Sequence, residues 1–191
     1  MRSMKTNNIK FAFATAVCAL AGSAIAQRKP TVTYTITGTP GDYTLDFNFT
    51  NNFNTGEGSL YFLGVLLDSG RDIAGSPTGW NPNQQTSWNN SSFGGSNLTY
   101  NNNWYDRTGT NIDPGQSLSG FEAISTDAIA PTFVNFFAYA IGGTYTGNDN
   151  FNGPTNPGFE GIATLQAVPA PSPLFALAPL AIGLVALRKR K

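Results

Sequence analysis

The 191-residue sequence contains no histidine. A histidine general base, a Ser-His-Asp arrangement and histidine-ligated zinc are thereby excluded. The single cysteine, Cys18, sits in an apolar amino-terminal stretch, and neither a P-loop nor a dinucleotide fingerprint is present. The chemistry left to the chain is that of carboxylates, hydroxyls and amides. Asp68, Asp72, Asp106, Glu122 and Glu160 fall near the ends of apolar segments. Two such groups facing each other about 5–9.5 Å apart would suffice for glycoside hydrolysis. Their spacing singles out no pair, and the plainer reading is of solvated turn and surface residues. Asn148-Asp149-Asn150 with Asn152 offers oxygens of the kind Ca²⁺ takes. It completes no known loop motif, and such Asn-Asp-Gly clusters commonly build turns. No catalytic, cofactor or metal residue is assigned.

A second chemistry is binding. Between Asn81 and Asn103 there are eight Asn and two Gln, and Trp80, Trp88 and Trp104 border or interrupt that run. An indole has a flat apolar face and neighbouring amides bond hydroxyls, so the three Trp are candidate contacts for a glycan. The competing reading makes them plugs at the ends of a β core, since large aromatics bury well.

The elements that must position these residues are strands. In Thr31–Thr37, Val32, Tyr34 and Ile36 alternate with threonines, and in Tyr43–Thr50, Tyr43, Leu45, Phe47 and Phe49 alternate with polar residues. Period two marks a half-buried strand. Gly38-Thr-Pro-Gly-Asp42 joins the two as a hairpin turn. Leu60–Leu67 is a continuous apolar run of strand length, expected to be central and covered on both faces. Ser117–Ser125 alternates more weakly, through Leu118, Phe121 and Ala123. Thr132–Ile141 and Phe159–Leu165 complete the set. No window here holds a 3.6-residue period. The expected fold is all-β, a single antiparallel β-sandwich of immunoglobulin-like or jelly-roll-like type. The Asn-rich stretch from Asp68 to Asp113 reads as long loops with one or two short strands, one near Leu98–Tyr100. Gly147–Gly158 reads as a second polar loop.

Charge is segregated along the chain. All eleven acidic residues lie between Asp42 and Glu160, where only Arg71 and Arg107 are basic; with Arg28 and Lys29 the part from Gln27 to Val168 carries a net charge of −7. An acidic body argues against nucleic-acid binding. The remaining seven basic residues mark the two ends. Arg2, Lys5 and Lys10 precede the apolar Phe11–Ala21. Ala24 and Ala26 then stand where a signal peptidase reads small residues, so residues 1–26 read as a signal peptide with Gln27 as the mature start. The mature chain then has no thiol and no disulfide. The other end runs Val168, Pro169, Ala170, Pro171, then the uncharged Leu174–Leu187, then Arg188, Lys189, Arg190 and Lys191. As a helix Pro173–Leu187 would be about 22 Å long, short for a hydrocarbon core roughly 30 Å thick. It suits a temporary anchor in the inner membrane, with the basic residues held on the cytoplasmic side.

Joint, short transmembrane helix and basic stop together resemble the PEP-CTERM sorting domain of Gram-negative bacteria, the proposed substrate of exosortases. Val168, Pro169 and Pro171 match its motif; Ala170 stands where the family has Glu. The resemblance implies processing near the Pro motif by an exosortase-like enzyme and delivery to the cell surface or an extracellular, exopolysaccharide matrix. Three parts follow: a signal peptide (1–26), an extracytoplasmic domain (27–167) and a sorting signal (168–191). The expected role of the domain is structural or adhesive. A carbohydrate-binding module and a carboxylate hydrolase are the alternatives.

Overall fold

The computed structural model describes residues 28–83, 87–91 and 94–167. The expected signal peptide with its cleavage residues, and the sorting segment from Val168 onward, lie outside the described residues. Among the described residues there are eleven strands: β1 (Thr31–Thr39), β2 (Asp42–Thr50), β3 (Ser59–Leu66), β4 (Ile73–Gly75), β5 (Trp80–Pro82), β6 (Trp88–Asn89), β7 (Thr99–Tyr100), β8 (Asn102–Asp106), β9 (Ser117–Ser125), β10 (Val134–Ile141) and β11 (Gly158–Leu165). Nine form one sheet in the order β4-β9-β2-β1-β11-β10-β3-β8-β5, and β6 and β7 form a separate small hairpin.

The sheet folds over at β1 and β11 so that its two halves face each other. Aromatic rings meet across the two halves: Phe49 on β2 meets Phe136 on β10 at 6.3 Å, and Phe121 on β9 meets Trp104 on β8 at 5.6 Å. Of the side chains expected to face inward, Val32, Tyr34, Leu45, Phe47 and Phe49 are buried in that core, while Ile36 and Tyr43, nearest the hairpin turn, are only partly buried against it. Most pairings are antiparallel. The fold line is not: β1 and β11 run parallel, through Thr33–Thr164 and Tyr34–Leu165. This departs from the wholly antiparallel expectation, because a strand pattern states which face is apolar and not which neighbour it takes. On the far side, the Trp104 indole N–H donates to the Gly75 carbonyl of β4 at 3.0 Å. That bond brings the two ends of the sheet together and leaves it nearly closed.

Two irregularities in the sequence pattern are bulges. Leu118 and Phe121 are three residues apart yet both point inward, because Ser119 and Gly120 together oppose Asn48 on β2. The Gly120 N–H displaced from the ladder finds the Asp46 carboxylate at 3.0 Å. In β3, Phe62 pairs with Tyr139 but Leu60 pairs with Ala140, so Tyr61 is the extra residue. Tyr61 and Phe62 therefore lie on the same, outer face. The β1–β2 turn is tighter than the five residues suggested: Thr39 pairs with Asp42, and Pro40-Gly41 alone turns the chain, Gly41 at φ +86°.

The described residues of the Asn-rich stretch hold five short strands where one or two were expected, and β8 lies inside the sheet. Amides explain how so polar a run is buried. The Asn101 side chain accepts from the Leu67 N–H at 3.0 Å and donates to its carbonyl at 2.6 Å, imitating a strand neighbour. Asn102 does likewise, accepting from the Asp72 N–H and donating to the Gly70 carbonyl. A side-chain amide carries the same donor and acceptor as a peptide group, so it can satisfy backbone where no strand runs.

Candidate functional site: an aromatic pocket

The outer face of β3, β8 and β10 carries a row of aromatics set by register. Phe62 lies opposite Tyr139 on one side and opposite Tyr105 on the other. The bulge adds Tyr61 to the same face, its ring 6.3 Å from that of Tyr105. The β6–β7 hairpin folds onto this surface and brings Trp88, whose indole stacks on Phe137 at 4.5 Å and meets Phe62 edge-on at 5.5 Å. β3 is thus covered on both faces, as its unbroken apolar run implies.

Between these rings opens a pocket of about 350 Å³. Tyr61, Phe62, Trp88, Tyr105 and Tyr139 wall it. Asn83, Asn152 and Asn156 supply amides at its rim, and Arg107 supplies a guanidinium. The Tyr61 hydroxyl donates to the Asn156 side chain at 3.2 Å, and the Asn152 amide donates to the Asn156 carbonyl at 3.1 Å. The Arg107 guanidinium lies 5.6 Å above the Tyr105 ring. Burial pushes the Tyr61 hydroxyl up from its ordinary pKa and does the same more strongly to Tyr139, which the neighbouring Tyr61 and Glu160 raise further. Both stay protonated at neutral pH. The pocket thus presents flat apolar faces, neutral hydrogen-bonding groups and one permanent positive charge.

Of the three candidate glycan contacts, only Trp88 is at this surface. Trp80 and Trp104 are buried in the core, Trp80 edge-on to Phe121 at 5.1 Å. They cannot touch a ligand in this fold, and the plug reading holds for both, because the sandwich needs large side chains where its two ends meet. Tyr61, Phe62, Tyr105, Tyr139 and Arg107 were not singled out from the sequence. The available signal was Arg107, one of only two cations between Asp42 and Glu160.

The carboxylates go elsewhere. Glu160 on β11 accepts from the Tyr100 hydroxyl, the Asn90 amide, and the Ser96 N–H and hydroxyl. Asp106 accepts from the Thr108 N–H and from the hydroxyls of Thr108 and Thr110. Asp68 borders a separate groove beside Asp127, and Asp72 precedes β4. Glu122 on β9 pairs in register with Asp46 on the adjacent β2, in the half of the sheet that does not carry the pocket. None of the five candidates lines the aromatic pocket. At Asn148-Asp149-Asn150, the Asp149 carboxylate accepts from the Tyr145 hydroxyl at 2.7 Å and lies 3.6 Å from the Lys29 ammonium. Asn150 donates to the Gly147 carbonyl, and Asn152 turns to the pocket rim. Among the described residues no three potential metal-ligating side chains gather.

No protein-family model and no curated protein matches this sequence. A solved structure from Nocardia farcinica, described as an uncharacterized protein with an immunoglobulin-like fold, aligns at 18% identity and a TM-score of 0.38. The alignment covers 72% of this chain and 99% of that one. So distant a likeness bears on neither function nor topology.

Proposed function

We propose that the chain is an exported surface or matrix protein whose β domain binds polysaccharide in the aromatic pocket. Its scaffold is read as an immunoglobulin-like or jelly-roll-like sandwich, architectures that present ligands on sheet faces and at loop ends. The observation that carries the binding reading is the cross-strand row Tyr139, Phe62 and Tyr105, with Trp88 above it and asparagine amides at its edge. Pyranose rings have apolar C–H faces that rest on aromatic planes, and hydroxyls that amides and phenols bond. Binding fits better than hydrolysis, because no Asp or Glu lines the pocket. The export half rests on the two ends of the sequence: the basic, apolar and small-residue order of 1–26, and the Pro joint, apolar run and basic stop of 168–191.

Trp88 makes the binding reading measurable. With Trp80 and Trp104 buried, oligosaccharide added to the purified protein is expected to change the emission of Trp88 alone, and Trp88→Ala to abolish the change. No response across neutral and acidic oligosaccharides would defeat the reading. Mass spectrometry of the secreted protein tests export: the expected product starts at Gln27 and lacks the residues beyond the Pro motif. An intact product confined to the cytosol would overturn that half.

A further inference from the structure

We infer that the pocket selects an acidic saccharide, a chain bearing uronic-acid carboxylates, and that Arg107 reads the charge. The inference rests on the polysaccharide-binding reading and adds the class of sugar.

Only four basic side chains lie between Gln27 and Val168; two are paired with carboxylates and a third bonds a backbone carbonyl. Arg28 is ion-paired with the buried Glu57. Lys29 stands 3.6 Å from Asp149. Arg71 donates to the Asn83 carbonyl at 3.1 Å, bracing the pocket rim through its backbone. Arg107 is exposed, and its guanidinium has the Tyr105 ring beneath it. All eleven Asp and Glu of the chain are among the described residues, and none lines the pocket. The site is therefore a positive spot on a body of net charge −7.

That arrangement has a selective consequence. A negative domain repels an anionic polymer over most of its surface, so attachment is confined to where the local field reverses. A guanidinium held over a ring keeps its donor edge available and pairs with a carboxylate through two parallel hydrogen bonds. Stacking on Tyr105 also limits the conformations Arg107 must give up on binding. The volume, about 350 Å³, is at the small end of ligand pockets and suits one or two sugar units of a longer chain. A neutral sugar would use the rings and amides but offer Arg107 no anionic partner.

The test uses the purified secreted protein and matched pairs of probes: uronate trimers (galacturonate and mannuronate) and a hyaluronan tetrasaccharide, each against its carboxyl-reduced, neutral counterpart. Affinity is read by calorimetry and by Trp88 emission. At low salt at least one acidic probe is expected to bind roughly tenfold tighter than its neutral partner, the scale of one charge-assisted contact. That ratio should shrink in high salt. Arg107→Gln should bring the ratio near one and Arg107→Lys should restore part of it; unchanged thermal unfolding would show that the fold is intact. Equal affinity for acidic and neutral probes in the unaltered protein, or a preference that survives Arg107→Gln, overturns the inference while leaving polysaccharide binding standing. Absence of binding to every probe overturns both.

Discussion

The Glu160 carboxylate accepts the Tyr100 hydroxyl hydrogen at 2.8 Å and so ties β11 to β7. The same carboxylate takes the Ser96 N–H and hydroxyl, each at 2.9 Å, and the Asn90 amide. One side chain in the long sheet therefore holds the small hairpin that delivers Trp88 to the pocket. Glu160→Ala would leave the buried Tyr100 hydroxyl and Asn90 amide without that acceptor. Hydrogen bonds to a charged group contribute about 1.5–3 kcal/mol, so a loss of about 2 kcal/mol in urea denaturation is expected. Trp88 should also become more open to acrylamide quenching. A variant with full stability and unaltered quenching would show that the hairpin docks without this tie.

The tie should weaken in acid. Burial alone would raise the Glu160 pKa, but the bonds from Tyr100, Ser96 and Asn90 outweigh it and hold the group below the 4.5 of an ordinary Glu. A depressed carboxylate pKa adds stability that is present above the unfolded-state value and disappears as pH falls through the folded-state value. The stability gap between the unaltered protein and Glu160→Ala is thus expected to be steady at neutral pH and to close only below 4.5. Denaturation midpoints of both proteins across that range measure it. A gap that closes between neutrality and 4.5 would contradict the assigned direction.

Trp104 and Trp88 should separate stability from binding. Trp104 is fully buried, 6.4 Å from the Phe47 ring and 5.6 Å from Phe121, and its indole N–H closes the sheet onto Gly75. Trp104→Ala is expected to cost about 3–5 kcal/mol from lost burial and the cavity together, with a further cost for the Gly75 carbonyl. Trp88→Ala removes a half-buried ring and should cost less than Trp104→Ala, while abolishing the ligand response. Thermal melts and titrations of the two variants side by side would expose a reversal of that order.

The long strands were legible because their period-two pattern is a direct image of one buried face: Val32, Tyr34, Leu45, Phe47 and Phe49 are buried where it puts them, and Ile36 and Tyr43 lie on the same face but only partly buried. The pocket was not. Tyr61 and Phe62 share a face only because of a bulge, and a bulge is set by the partner strand, which the local pattern does not state. Strand β8 was hidden because its buried residues include Asn102 and Asn103, polar side chains that earn burial by bonding backbone. Trp80, Trp88 and Trp104 look alike in sequence, and only strand pairing sorts the two core plugs from the one pocket wall.

Gly64 connects the central strand to that wall. It lies on β3 between Phe137 of β10 and Asn103 of β8. A Cβ added there would meet the Phe137 ring edge and the Asn103 side-chain oxygen. Phe137 is in turn the surface on which Trp88 stacks. Gly64→Ala must therefore displace the Phe137 ring, and the displacement reaches Trp88 through the 4.5 Å stacking contact. Overpacking of this kind costs about 1–3 kcal/mol. The expected result is a lower urea midpoint at unchanged slope, the sign of lost stability without altered compactness, together with a shift in Trp88 emission and weaker saccharide binding. If stability fell while Trp88 emission and binding stayed as they were, Phe137 would not be the link between the sheet and the pocket.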